Sequence, residues 1–288
     1  MGKFDGMLLV SDYDNTLRYT EGALRGSGEV PPVNPRNWEA IRHWMAEGGV
    51  FAMATGRALA AFRRQAEEIP TNAPCIVDNG GAIYDLAAEK YLVKRFLADS
   101  SLERIALVMD AFPEVSLELY HEGPLVQVMH PSEWNEKHAL LTGLDFQVVD
   151  RLEAGSVALP LAKALFVADR GALDRVLAFM GERGWSGDYE LIYSGDHLLE
   201  MTAKGANKGS AVEWVAQELG IRGEDVYCVG NALNDISMLA VSAVPYAPSD
   251  CYQELKDWGA VLLPPCDEDC IAHLIGVLEE RYQDRKEP

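Results

Sequence analysis

Short apolar segments alternate with amphipathic helical segments at both ends of this sequence, and this rhythm limits the fold more than any other feature. One predicted helix begins after Asn34, a good N-cap residue, and ends before Gly48. The predicted strands are the apolar runs at Met7–Val10, Val50–Ala54, Cys75–Val77 and Val226–Val229. Strands that alternate with helices predict a parallel β-sheet that is covered by helices on both faces.

The middle of the chain follows a different pattern. Two predicted strands, Val115–Tyr120 and Leu125–His130, follow each other directly, and helices such as Leu173–Arg183 come later. Consecutive strands accompanied by helices are typical of a separate α+β unit. We therefore expect an α/β core domain formed by residues 1–84 and 186–288, with a smaller α+β domain inserted at 85–185.

Charge and composition exclude several classes of partner. The chain of 288 residues carries a formal charge of −20, and its pI is about 4.6. An acidic surface repels nucleic acids and anionic membranes, so we expect neither as a partner. The apolar run near the N-terminus is too short for a signal peptide or a membrane span. Five cysteines at irregular positions favour free thiols in a reducing compartment, which predicts a cytoplasmic protein.

Two aspartates directly follow the first predicted strand, in the run Asp12-Tyr13-Asp14-Asn15-Thr16. In parallel sheets, ligands bind where the strands end. Two carboxylates separated by one residue point in different directions, so one can attack a phosphorus atom while the other transfers a proton. Both can also bind a hard cation, which prefers oxygen ligands. Because aspartates that merely end a strand give the same pattern, this motif alone favours catalysis only slightly.

Two further polar loops offer groups that can bind phosphate. Thr55-Gly56-Arg57 follows the second predicted strand, where a hydroxyl and free backbone N–H groups suit phosphate oxygens. Lys208 precedes a predicted helix, and its charge can neutralise an aspartate and a phosphoryl group together. Taken singly, the threonine is better explained as an ordinary helix cap, and Lys208 as a surface lysine with Lys204 as a competing candidate.

A fourth polar loop, Gly230-Asn231-Ala232-Leu233-Asn234-Asp235, follows the strand Val226–Val229. Its carboxylate and amide oxygens can form the second side of a Mg²⁺ site, although helix capping explains Asn234 and Asp235 equally well. The four loops occur in an order that brings their ends to one edge of one sheet. Their combination therefore predicts a single site for phosphate chemistry, which no loop predicts alone.

These four loops, in this order, resemble the four motifs of haloacid dehalogenase (HAD) superfamily phosphatases. The segments 78–84 and 234–239 also fit, and the match is closer to the Cof-like group, in which a large cap domain lies between the second and third motifs. The resemblance covers the core and the position of the insertion, whereas the cap has a generic sequence. It implies a Rossmann-like parallel-sheet core with an inserted α+β cap domain.

The resemblance also implies a role for each matching residue. Asp12 would be the nucleophile that forms a phosphoaspartyl intermediate. Asp14 would protonate the leaving oxygen and then activate the water that hydrolyses this intermediate. The substrate-binding residues would be Thr55, Gly56, Arg57, Lys208 and Asn234, with Thr55 and Lys208 on the phosphoryl oxygens.

Mg²⁺ is the cofactor that the resemblance implies. Its ligands would be the Asp12 carboxylate, the Asp14 backbone carbonyl and the first side chain of the fourth motif. That side chain is usually an aspartate, but here it is Asn231. Since an amide oxygen carries no charge, we expect weaker Mg²⁺ binding rather than an inactive enzyme, with Asp235 as a further ligand, directly or through water.

Small phosphorylated metabolites are the expected substrates, because a large cap limits access to the site. Sugar phosphates lead by resemblance, and pyridoxal phosphate and nucleotides stay open. Tyr120, His121 and Lys163 are candidate cap residues for facing the site, although a solvated surface position is the default interpretation. His121, His130 and His138 lack the spacing of a metal motif and are interpreted as surface or packing residues. Two other functions also stay open: a protein that binds phosphorylated ligands without turnover, and a phosphotransferase such as a phosphomutase.

Overall fold

A computed structural model describes residues 2–20, 30–153 and 155–283. The strands are, in chain order, β1 Leu8–Asp12, β2 Val50–Ala54, β3 Cys75–Val77, β4 Ala82–Asp85, β5 Lys90–Lys94, β6 Ser116–His121, β7 Val126–Met129, β8 Phe146–Val148, β9 Leu161–Val167, β10 Tyr189–Gly195, β11 Leu198–Ala203, β12 Val226–Val229, β13 Pro245–Pro248 and β14 Val261–Leu263. The α-helices of the described residues are α1 Pro35–Ala46, α2 Leu59–Ala66, α3 Ser101–Ala111, α4 Glu133–Thr142, α5 Arg170–Glu182, α6 Lys208–Glu218, α7 Ile236–Ala240, α8 Gln253–Trp258 and α9 Cys270–Gln283.

The core is an eight-stranded sheet with the order β14-β13-β12-β1-β2-β3-β4-β5. The strands from β14 to β3 are parallel, and β4 and β5 continue the sheet as an antiparallel hairpin. This arrangement confirms the predicted α/β fold with a parallel-sheet core. The first helix begins as predicted, because the Asn34 side chain accepts the backbone N–H of Arg36 at 2.9 Å and Pro35 occupies the first turn.

Alternate residues of the central strands point to opposite faces of the core sheet, as the two-residue period of a strand requires. Leu9 and Phe51 pack with α1 and α9 on one face, whereas Val10 and Ala52 pack with α6 on the other. Both faces are therefore apolar and covered. A strand that is buried on both sides must end in polar residues at the edge of the sheet, and that edge holds the candidate site.

The inserted unit contains a six-stranded sheet with the order β10-β11-β9-β6-β7-β8. All neighbouring pairs are antiparallel except β7 and β8. This sheet therefore does not coincide with the expected range of 85–185. At its start, Lys90–Lys94 still belongs to the core sheet, and at its end, Tyr189–Ala203 supplies the last two strands of the inserted sheet. The pairing of β11 with β9 joins distant segments, so no local pattern indicates it.

The inserted sheet has helices α3 and α5 on one face, and the core domain and helix α4 on the other. Ile105 of α3 and Val176 of α5 pack against alternate residues of β6 and β9. On the opposite face, Ala58 and Ala61 of the core pack against cap residues such as Val128. The insertion therefore sits as a cap on the core, beside the Thr55-Gly56-Arg57 loop. Within the described residues, we find no helix that is both long and apolar enough to cross a membrane.

Candidate active site

Three parallel strands bring the candidate residues to one edge of the core sheet. In the register of β1, Asp12 lies opposite Ala54 of β2, and Ser11 lies opposite Val229 of β12. The loops that follow these three strands therefore begin at the same level. This is the edge at which parallel α/β sheets bind ligands, and the first, second and fourth polar loops meet there as expected.

Lys208 joins two of the candidate carboxylates in the interior. Its Nζ lies 2.6 Å from Oδ1 of Asp12 and 2.6 Å from Oδ1 of Asp235, and its side chain is completely buried. Burial alone would lower the pKa of Lys208, but the two carboxylates outweigh burial and raise it. Burial and the charge of Asp235 raise the pKa of Asp12, while Lys208 opposes them. Lys204, the competing candidate, pairs instead with Glu190 at the surface.

Asp235 also shapes the loop that follows β12. Its Oδ2 accepts the backbone N–H groups of Asn231 at 2.8 Å and Ala232 at 3.0 Å. Gly230 is required next to it, because a Cβ at that position would lie 2.4 Å from the Asp235 carboxyl carbon. Both oxygens of Asp235 are thus engaged by Lys208 and by backbone groups. In this arrangement Asp235 positions Lys208 and the loop, and its expected role as a metal ligand stays a prediction.

The amide of Asn231 lies among the expected metal ligands. It is 3.0 Å from the backbone oxygen of Asp14, 3.2 Å from Oδ2 of Asp12 and 3.3 Å from Oγ1 of Thr16. All three contacts are satisfied when the amide nitrogen faces these oxygens, so the N–H groups occupy the position of a cation. With the amide reversed, its oxygen would join one carboxylate and one carbonyl, a hard oxygen set that fits Mg²⁺.

This donor set has few charges. Among the residues that the structure describes, no group of three or more His, Cys, Asp or Glu side chains is placed to hold a metal ion. The site fits a divalent cation through a single carboxylate, that of Asp12, together with neutral oxygens. The weak metal binding expected from Asn231 therefore agrees in direction with the geometry.

The carboxylate of Asp14 binds Arg57. The guanidinium donates from Nε to Oδ2 at 2.8 Å and from Nη2 to Oδ1 at 2.7 Å. Burial would raise the pKa of Asp14, but the charge and hydrogen bonds of Arg57 outweigh it and lower it. Arg57 also donates from Nη1 to the backbone oxygen of Leu141 at 3.0 Å, so it ties the core site to the cap.

The loop after β2 is held rigidly. The hydroxyl of Thr55 accepts the backbone N–H of Arg57 at 3.1 Å, and its side chain is fully buried. Gly56 lies against the Asn79 amide and the Glu200 carboxylate, and a Cβ on it would lie 3.2 Å from both. Asn79 connects this loop to the fourth one: it donates its backbone N–H to the backbone oxygen of Thr55 at 3.1 Å and accepts from the Asn234 side chain at 2.9 Å.

A cavity of about 490 Å³ lies between these loops and the cap sheet. The core contributes Asp12, Asp14, Gly56, Arg57, Asn231 and Asn234 to its lining. Thr55, Lys208 and Asp235 do not line it, because they lie buried behind the residues that do. The site therefore has an exposed layer that can touch a ligand and a buried layer that fixes it.

Cap residues form the opposite wall. Lys163 donates to the backbone oxygen of Gly56 at 2.8 Å and to Oε2 of Glu200 at 2.7 Å, and its ammonium lies over the ring of Tyr120. Tyr120 and Lys163 thus line the cavity as the sequence suggested, whereas His121 lines a separate small cavity with Asp78.

His138, which the sequence analysis interpreted as a surface or packing residue, also lines the main cavity. The alternation of Ser116, Glu118 and Tyr120 along a buried strand is the signal that could have pointed to a polar inner face of the cap.

Comparison with known proteins supports the assignment by family. The family of haloacid dehalogenase-like hydrolases matches residues 9–275. An HMP-PP phosphatase from Cronobacter sakazakii is 30% identical over 241 residues, which cover 80% of this chain and 79% of that protein. A 5-amino-6-(5-phospho-D-ribitylamino)uracil phosphatase from Bacillus subtilis is 24% identical over 281 residues, covering 90% and 95%.

Solved structures show the same fold. A haloacid dehalogenase-like hydrolase from Bacteroides thetaiotaomicron superposes with a TM-score of 0.78 at 21% identity, covering 94% of this chain and 99% of that one. A HAD subclass IIB sugar phosphatase superposes with a TM-score of 0.77 at 20% identity, covering 94% and 98%. The chain therefore belongs to the haloacid dehalogenase-like hydrolase family, and the predictions of that family and of a phosphatase are confirmed.

Proposed function

We propose that this enzyme hydrolyses phosphate monoesters of small metabolites through a phosphoaspartyl intermediate on Asp12, in a Mg²⁺-dependent reaction. The observation that carries the proposal is the placement of Asp12, whose carboxylate lines the cavity while the buried Lys208 ammonium holds one of its oxygens. An oxygen of Asp12 attacks phosphorus as the bond to the leaving oxygen breaks. Water then attacks the same phosphorus, which releases phosphate and restores the carboxylate.

Lys208 serves this reaction by its charge. Asp12 and Asp235 together carry two negative charges next to the position at which an anionic phosphoryl group must arrive. A fully buried ammonium at 2.6 Å from both acids reduces the repulsion without any reorganisation during the reaction. The backbone N–H of Gly56 is the further donor to the phosphoryl oxygens in this proposal, because those of Thr55 and Arg57 already donate to the backbone oxygen of Ile76 and to the Thr55 hydroxyl.

Asp14 is the proposed acid and base. As a carboxylate it accepts a proton from the attacking water, and this half of the reaction suits the lowered pKa that Arg57 causes. To donate a proton to the leaving oxygen, Asp14 has to be protonated first. We propose that phosphoryl oxygens draw Arg57 away from Asp14 when substrate binds, so that the same guanidinium serves the substrate and releases the acid.

Mg²⁺ would be held by the Asp12 carboxylate, the Asp14 carbonyl and, after reversal of its amide, Asn231. When bound, it supplies charge compensation between the anionic nucleophile and the anionic substrate. The distances between these three groups support the assignment. The Asn231 amide lies 3.0 Å from the Asp14 carbonyl oxygen and 3.2 Å from Oδ2 of Asp12.

The relatives and the cavity support small substrates. The named relatives are phosphatases for HMP-PP and for a phosphoribitylaminouracil, and a structural neighbour is a sugar phosphatase. A cavity of about 490 Å³ is within the usual range for small-molecule sites. The five cysteines are free and buried, which agrees with the proposed reducing cytoplasm.

The test is phosphate release from a panel of small phosphate esters over a range of Mg²⁺ concentrations. We expect turnover by the wild type that requires Mg²⁺ and disappears in Asp12→Asn. Asp174→Asn, which changes a surface aspartate paired with Arg170 in the cap, is the matched control and should keep full turnover. Binding of the esters without phosphate release, by a folded wild type at any Mg²⁺ concentration, would favour a binding protein. Transfer of the phosphoryl group to a second hydroxyl compound instead of water would favour a phosphotransferase.

A further inference from the structure

A buried polar network lies in the cap beneath the wall of the cavity. Its centre is Glu118 of β6, which is 3% exposed. Oε1 of Glu118 accepts Nδ2 of Asn135 at 2.9 Å, and Oε2 accepts the hydroxyl of Tyr120 at 2.7 Å. Oε2 also lies 2.8 Å from Nδ1 of His138. A carboxylate inside a domain is costly unless donors satisfy it, and three side chains do so here.

The network is anchored away from the cavity as well. Oδ1 of Asn135 accepts the hydroxyl of Ser116 at 2.7 Å and the backbone N–H of Ser132 at 2.7 Å. The second contact begins helix α4, on which both Asn135 and His138 lie. Since Asn135 is completely buried, the position of Glu118 relative to α4 is fixed on both sides.

His138 is the member of this network that reaches the cavity. Its side chain is 18% exposed, and the residue is part of the cavity lining together with Asp12 and Arg57. Because Nδ1 is committed to Glu118, the carboxylate fixes the ring orientation and leaves Nε2 as the nitrogen available to a ligand. Nε2 makes no hydrogen bond with any residue that the structure describes.

A purely structural purpose explains this arrangement poorly. Apolar residues at these positions would stabilise the cap without the cost of burying a carboxylate. Charge is also unusually well paired around the cavity: Lys163 is bound to Glu200 and Arg57 to Asp14. Of the histidines lining the cavity, His197 stacks on Trp134 and directs Nδ1 to the backbone oxygen of Ala168.

We infer that His138, oriented by Glu118, Tyr120 and Asn135, is a specificity residue whose Nε2 binds a hydroxyl or an anionic oxygen on the leaving group of the substrate. The inference rests on the proposed function and deepens it. It identifies the substrates as esters whose leaving group carries a hydrogen-bonding oxygen, as in a polyol or sugar phosphate or a compound with a second phosphate. Esters with an apolar leaving group should gain nothing from this residue.

His138→Asn is the informative variant, because an asparagine amide can still donate to Glu118 near the Nδ1 position while the Nε2 position is lost. Turnover is compared for a sugar monophosphate, a sugar bisphosphate and phenyl phosphate. We expect kcat/KM to fall at least tenfold for one or both sugar phosphates, mainly through KM, and to stay unchanged for phenyl phosphate. A larger loss for the bisphosphate identifies an anionic oxygen as the ligand, and an equal loss for both identifies a hydroxyl.

His130→Asn is the matched control, since it changes another cap histidine, one outside the cavity lining, and asparagine accepts its left-handed backbone. Thermal melting is used to check that both variants fold. Equal losses of kcat/KM for all three esters, or no loss for any, would overturn the inference and would leave the proposed phosphatase function unaffected.

A binding measurement separates the inference from the reaction. In the Asp12→Asn background the ester stays intact, so calorimetry with and without His138→Asn compares affinities directly. An at least tenfold weaker Kd for a sugar phosphate, without a change for phenyl phosphate, supports the role of His138 even if no phosphate is ever released. Equal affinities in the two backgrounds, or no binding of any ester, would refute it.

Discussion

Asn231→Asp should strengthen Mg²⁺ binding and, at the same time, lower the free energy of unfolding of the metal-free protein. The end of the Asn231 amide that faces Asp12 lies 3.2 Å from Oδ2 of Asp12, and the hydrogen-bond partners around it assign this end to the nitrogen. In Asn231→Asp, a negatively charged carboxylate would replace the neutral hydrogen-bond donor at this place. At an effective dielectric constant of 20, two unit charges at this distance repel by about 5 kcal/mol. Protonation of an acid with an ordinary aspartate pKa costs about 4 kcal/mol at pH 7. This is an upper limit, because burial already raises the pKa of Asp12 to about 7.

Bound Mg²⁺ removes that repulsion, so the same free energy becomes available to binding. Each 1.4 kcal/mol corresponds to a tenfold change in affinity, and about 4 kcal/mol therefore corresponds to roughly a thousandfold change. We expect the Mg²⁺ affinity of Asn231→Asp to rise by between tenfold and about a thousandfold. Isothermal titration calorimetry gives the affinity, and thermal melting with and without Mg²⁺ gives the stability.

Asn207→Asp is the matched control for this experiment. It adds the same charge beside Lys208, but Asn207 caps helix α6 through the backbone N–H of Ser210, a role that an aspartate keeps. The control should bind Mg²⁺ with nearly wild-type affinity. If Asn231→Asp binds Mg²⁺ no more tightly than the control, the position of Asn231 is not a metal position and the reasoning is refuted.

Two further predictions concern buried charge. Lys208→Met leaves Asp12 and Asp235 without their cation, so the free energy of unfolding should fall by about 3–5 kcal/mol in denaturant melts. The double variant Lys208→Met with Asp235→Asn should recover part of that stability but none of the turnover. Full recovery of turnover would contradict the role of Lys208. Asp78 is buried, one of its oxygens has no hydrogen-bond partner among the described residues, and burial raises its pKa from 3.8 to about 7. The folded protein therefore holds the Asp78 proton more tightly than the unfolded chain, and the free energy of unfolding falls as the pH rises towards 7. Asp78→Asn should therefore stabilise the protein by up to about 4 kcal/mol at pH 8 and by less than about 1 kcal/mol at pH 4. An equal effect of Asp78→Asn at both pH values would argue against this.

The core site could be predicted because its residues follow strands. A buried strand produces a short apolar run, and the residue at which it ends is visible in the sequence. Asp12, Thr55 and Asn231 were found in this way, and the register of β1 with β2 and β12 brings their loops together. Lys208 needed the resemblance to a family, since a lysine before a helix carries no local signal of being completely buried.

Other features could not be predicted because they depend on contacts between distant segments. The last two strands of the cap join a sheet whose other strands lie before residue 168, so the cap boundary was placed too early. The sequence contains nothing that pairs Arg57 with Asp14 instead of with the substrate. Likewise, the partners of Glu118 lie on the same strand and on α4, and only the folded cap shows that Asn135 and His138 converge on it.

Charge pairing around the cavity explains how a chain with a formal charge of −20 can bind an anion. The two aspartates proposed for the reaction each hold a cation: Lys208 binds Asp12, and Arg57 binds Asp14. An incoming phosphoryl group is an anion with several acceptor oxygens, and it competes with these carboxylates for the same donors. Arg57 lines the cavity, whereas Lys208 is buried between two acids, so Arg57 is the cation that can change partners. Since Arg57 also holds the backbone oxygen of Leu141 in the cap, a change of partner at Arg57 alters a contact between the two domains. The proposed change of partner at Arg57 would therefore couple substrate binding to the position of the cap through one guanidinium.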